Sequence, residues 1–83
     1  MKVKKQISPQ QFFLEGKDYI YGCSFRKADK TEQYLGKVSV YTPDEWKDMM
    51  KMEHKVVENI KLGDGEIEKA KEKLISYIEE NLV

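Results

Sequence analysis

Few residues of this 83-residue chain are set close enough together to do chemistry. His54 is the single histidine, and with Glu58 one helical turn later it can touch a metal ion. Two ligands without a further His, Cys or Asp at ligand spacing make no site, and His54 reads as a surface residue. Cys23, the single cysteine, falls on the aromatic face of a strand, where a thiol behaves as a small buried hydrophobe rather than a nucleophile. Gly63-Asp64-Gly65-Glu66 lacks the lysine of a phosphate-binding loop and the ligand spacing of a calcium loop, so it reads as a turn. The expectation is a protein with no catalytic set, no metal site and no cofactor.

Binding chemistry is better represented. Arg26, Lys27, Lys30, Lys37 and Tyr41 belong to a segment rich in tyrosine and basic residues. Sheets that bind nucleic acid stack bases on exposed aromatics and run phosphates along Lys and Arg. The layout is similar to that of small DNA-binding domains that lay a three-stranded sheet in the major groove, although no family motif accompanies it. One sheet face must still be core, and that claims Tyr19, Tyr21 and Phe25, leaving Tyr41 as the one aromatic outside.

Charge is segregated along the chain. Fifteen basic and fifteen acidic residues cancel, but residues 1–41 carry +4 and residues 42–83 carry −4. The basic half is suited to an anionic partner, or to the acidic half of a second copy. No apolar run approaches the roughly 18 residues that span a bilayer, and the single cysteine fits a reducing compartment, so a cytoplasmic protein without membrane contact is expected. Fourteen of the fifteen basic residues are lysine, a bias that hints at an A/T-rich bacterial or phage genome.

The elements that must position these residues follow from periodicity. Asp18 to Arg26 and Tyr34 to Tyr41 alternate in faces and are rich in strand formers, predicting an antiparallel hairpin. Lys2 to Ile7 is the candidate third strand. Ser8-Pro9-Gln10-Gln11 has the order of a helix start and predicts a short helix to about Glu15, with a strand through Phe12-Phe13-Leu14 as the competing reading. Thr42-Pro43-Asp44-Glu45 is a better helix start, and that helix is expected to run to about Leu62, where Gly63 and Gly65 interrupt it. A final helix is expected from Gly65 or Glu66 to Asn81.

Stepping 100° per residue from Trp46 gathers Met49, Met50, Val56, Val57 and Ile60 on one stripe; the last helix gathers Ile67, Ala70, Leu74, Ile75, Ile78 and Leu82. If the two fold back at Gly63, Glu53 and Lys71 meet as a buried polar pair, because an acid inside an apolar stripe requires a partner. The stripes are wider than one contact requires, so Met49, Met50 and Met52 suit a protein partner or a homodimer contact.

The expected molecule is thus a single α+β domain over residues 1–83, ordered β-α-β-β-α-α, with a two- or three-stranded antiparallel sheet covered on one face by a C-terminal antiparallel helix pair. Its expected role is a small non-enzymatic protein-binding or regulatory module, an accessory protein of a bacterium or phage, with nucleic-acid binding through the basic sheet half as the alternative.

Overall fold

Phe12, Phe13 and Leu14 are buried on both sides of one strand, and the architecture follows from that burial. The structure, a computed structural model, describes residues 2–47 and 55–82. Strands β1 (Lys2–Ser8), β2 (Gln11–Glu15), β3 (Ile20–Lys27) and β4 (Tyr34–Tyr41) are followed by a short helix α1 (Pro43–Lys47), strand β5 (Lys55–Gly63) and helix α2 (Ile67–Asn81). The strands pair antiparallel in chain order as a five-stranded meander.

The expected two- or three-stranded sheet under a helix pair is therefore corrected in three places. The short helix after Pro9 is instead β2, since Ser8-Pro9-Gln10 makes the turn of the β1–β2 hairpin, with the Gln10 N–H donating to Ser8 Oγ at 3.3 Å. A serine, a proline and a glutamine serve a turn as readily as a helix start. The long helix from Thr42 to Leu62 is not formed either. Its capping box is present, the Thr42 N–H donating to Glu45 Oε1 at 2.8 Å and the Glu45 N–H to Thr42 Oγ1 at 3.2 Å, and α1 is described over Pro43–Lys47, but the chain is extended from Lys55 onward. Lys55–Gly63 is strand β5 and pairs along β4, which would otherwise expose a row of unpaired peptide groups. Among the described residues α2 is the one long helix, and the sheet takes the role of its packing partner.

A β-bulge explains why β5 imitates a helix. Val57 pairs with Val38 and Ile60 with Gly36, so Glu58 and Asn59 together oppose the single residue Lys37, with Asn59 in the left-handed region at φ 57°. The extra residue shifts the alternation by one, so Val57, Ile60 and Leu62 all turn toward α2. Apolar residues three apart then arise on a strand and match the helical spacing.

Helix α2 lies where its periodicity places it. Ala70, Leu74 and Ile78 are buried against Phe12, Leu14, Tyr21, Cys23, Phe25, Tyr34, Val38, Val40, Ile60 and Leu62. Gly36 lets the helix approach: a methyl group there would lie 3.0 Å from Leu74 Cδ1 and 3.1 Å from Leu62 Cδ1. The Tyr21 hydroxyl donates to the Leu82 carbonyl at 3.2 Å and ties the end of the helix to the sheet. On the opposite sheet face Phe13, Ile20 and Tyr41 form a smaller cluster capped by Trp46 of α1.

Leu74 is fully buried between helix and sheet, so Leu74→Ala is expected to lower unfolding free energy by about 3 kcal/mol in urea titration. At the bulge, Asn59→Val is expected to cost about 1–2 kcal/mol because a β-branched residue resists the left-handed conformation, whereas Asn59→Gly should leave stability nearly unchanged. Equal effects of the two substitutions would contradict the bulge geometry.

Candidate functional site

Among the described residues, α2 covers the larger apolar cluster on one face of the sheet, and α1 covers a smaller cluster at one end of the other. Cross-strand partners share a face, so the register places Ser24 beside Lys37 and Arg26 beside Leu35 on the incompletely covered side. These residues and the bulge at Glu58 and Asn59 surround a notch of about 240 Å³. Lys37 Nζ reaches Glu58 Oε1 at 3.8 Å, an ion pair exposed on both sides and of little energetic weight. Arg26 is exposed and forms no ion pair with any described residue.

The other basic residues named from the sequence are dispersed. Lys27 lies on the helix-covered side of β3, its Nζ 5.8 Å from the Tyr34 ring centroid and 3.2 Å from Glu32 Oε2. That hydrogen bond to Glu32 raises the Lys27 ammonium above its ordinary value. Lys30 is in the β3–β4 loop with φ 63°. Tyr41 is 7% exposed and packs with Phe13, Ile20 and Trp46, so it offers no free ring for a base to stack on. The structure thus brings Arg26 and Lys37 together and separates Lys27, Lys30 and Tyr41 from them.

Lys71 does not face a second helix. Its Nζ stands 5.0 Å from the Phe12 ring centroid and donates to Gln6 Oε1 of β1 at 3.2 Å. The helix pair that was to bring Glu53 to it is replaced by the pairing of β5 with β4. Glu53, His54 and the methionines Met49, Met50 and Met52 lie outside the described residues.

A second concavity, of about 640 Å³, was not anticipated. It opens at the other end of the same face, where the β2–β3 turn meets α1. Tyr19, Ile20, Pro43 and Trp46 supply apolar surface, and Lys4, Lys17 and Lys47 stand around it with Glu15. The Trp46 ring meets Phe13 edge-on, with centroids 4.5 Å apart and planes at 69°. Lys4 Nζ is held between Glu15 Oε2 at 3.2 Å and the Trp46 ring, 5.8 Å from its centroid. The sequence does contain a signal for the Trp46 position. With Thr42 as the cap, Tyr41 and Trp46 occupy the two positions that clamp a helix start by apolar contact.

Cys23 is buried, and burial pushes its thiol up to about 12. A thiol protonated at neutral pH is a poor nucleophile. Among the described residues no group of three His, Cys, Asp or Glu side chains can hold a metal ion, and no helix is long and apolar enough to cross a membrane.

The described residues form a five-stranded antiparallel meander with helix α2 on one face and helix α1 over part of the other, and carry these two concavities. Compared with family models, curated proteins and solved structures, the chain matches none of them.

The Cys23 thiol also has a pH consequence. In the unfolded chain it ionises near about 8.5, while the folded state holds the proton to about 12, so stability falls as pH rises between those values. Its contribution is intact below about pH 8.5 and its slope is at most about 1.4 kcal/mol per pH unit. Urea titrations from about pH 8 to about pH 10.5 should show a shallower decline for Cys23→Ala than for the parent chain. Parallel declines would contradict the assignment.

Proposed function

We propose that this protein is a small non-enzymatic protein-binding or regulatory module that docks its partner on the strip of sheet around Arg26, Leu35 and Lys37. The observation that carries this reading is the unequal covering of the two sheet faces. Among the described residues α2 closes one, while the cluster under Trp46 leaves the loop end of the β3–β4 hairpin on the other face uncovered, with two cations and a half-buried leucine. Strand addition at the edges is a poorer route. β1 carries Lys2, Lys4 and Lys5, β5 carries Lys55 and Lys61, and both contain register shifts, all features that oppose edge pairing. A partner that meets the face should present carboxylates to Arg26, whose planar guanidinium takes them in pairs.

The cytoplasm is the proposed compartment and a bacterium or phage the proposed source, on the single cysteine and the preference for lysine over arginine. A second copy of the chain is one candidate partner, since the sequence halves carry opposite charge. Nucleic acid is the alternative, favoured by the proximity of Arg26 and Lys37 and disfavoured by the burial of Tyr41.

A photo-crosslinking amino acid at Ser24 or Lys37 is expected to trap one partner protein in the host, and at Glu72 on α2 to trap none. Arg26→Glu combined with Lys37→Glu should abolish the crosslink without altering the unfolding midpoint. Equal trapping from all three positions would reject the strip as the docking surface. Crosslinked chain at twice the monomer mass identifies a homodimer, and oligonucleotide binding that weakens steeply with salt identifies the nucleic-acid reading instead.

A further inference from the structure

We propose that the concavity at Trp46 is a binding site for an amphipathic organic anion, a small acid with an alkyl or aromatic body. This inference is independent of the docking strip, because the concavity and the Arg26 notch share no lining residue.

The size comes first. About 640 Å³ lies within the range of roughly 300–1,000 Å³ typical of small-molecule sites. Ile20 is buried at the edge of the concavity and Trp46 is fixed by its edge contact with Phe13, so the apolar wall exists before any ligand arrives. The capping box at Thr42 holds α1, and with it Trp46, in place over β2 and β3. A preformed wall lowers the ordering cost of binding.

The charge around that wall is unbalanced. Three ammonium groups, of Lys4, Lys17 and Lys47, accompany one carboxylate, of Glu15. Glu15 is already engaged by Lys4 at 3.2 Å and Lys2 at 3.9 Å. Lys17 and Lys47 form no ion pair with any described residue. A neutral apolar ligand gains nothing from these cations, and a small hydrophilic anion meets only exposed ammonium groups, whose pairing contributes little. A ligand that joins an apolar body to an acid group uses both features. The body lies against Trp46 and Ile20, and the acid group faces Lys17 and Lys47.

Trp46 is the single tryptophan of the chain and reports directly on the site. Titration with decanoate below its micelle concentration is expected to change the Trp46 emission saturably, while acetate leaves it unchanged and decan-1-ol binds about threefold more weakly, the scale of pairing with exposed ammonium groups. Lys17→Gln combined with Lys47→Gln should weaken decanoate about threefold with an unchanged unfolding midpoint. Amide shifts on binding should appear at Gly16, Lys17 and Trp46 and not at Arg26 or Lys37. Sedimentation of the protein with phosphatidylglycerol vesicles, lost in the same double variant, assigns the anion to a lipid; its absence alongside decanoate binding assigns it to a free acid. Absence of saturable decanoate binding, equal affinity for decanol, or shifts confined to the Arg26 strip would overturn the proposal. Since the photo-crosslink at Ser24 or Lys37 does not involve this concavity, failure here leaves that reading standing and the converse holds as well.

Discussion

The close approach of Leu74 to the sheet at Gly36 is the contact on which the rest of the structure depends. α2 is the only long helix among the described residues, and it alone shields the apolar side chains of β2, β3, β4 and β5 on that face. A methyl group at position 36 would require Leu74 and Leu62 to give by a few tenths of an ångström, in a core that a chain of this size cannot replace. The bulge at Asn59 serves the same contact from the edge, because it turns Ile60 and Leu62 beneath the helix instead of out to solvent.

Sealing one face with a single helix leaves the other to be managed with little chain. A capping box, one helical turn and Trp46 cover Phe13, Ile20 and Tyr41. The same economy creates both candidate surfaces. Beyond the cluster under Trp46, the described residues leave the sheet open around Arg26 and Lys37; where α1 meets the β2–β3 turn, its tryptophan makes one wall of a concavity edged by lysines. Arg26, Lys37, Lys4 and Lys17 on these surfaces come from the half of the sequence that carries +4, and Lys47 of α1 adds a further cation.

Legibility tracked how local each interaction is. β3 and β4 could be read from alternation, because Tyr21, Cys23, Phe25 and Val38 face the core while Ser24, Arg26 and Lys37 between them are polar, and α2 from its single apolar stripe. β2 was obscured by burial on both faces, which erases alternation, and by a turn built from residues that also begin helices. β5 was misread as helix because its bulge puts apolar residues at helical spacing. The buried pair of Glu53 and Lys71 was inferred from that misread helix. Of the basic residues considered for binding, Arg26 and Lys37 share a face, as their places in β3 and β4 imply, but the burial of Tyr41 depended on a tryptophan that only folding brings over it.

By itself the sequence determined an α+β chain with a basic first half, an antiparallel β3–β4 hairpin, a helix start at Thr42 and a final amphipathic helix, because each of these is encoded by side chains within a few positions of one another. Tertiary structure alone decided that Lys55–Gly63 is a strand, that the sheet has five strands, and that Trp46 faces a lysine-edged concavity. The physical reason is that the unpaired edge of β4 and the apolar face of α2 are satisfied only by groups distant in sequence, and the local pattern of β5 fits two conformations until those partners are present.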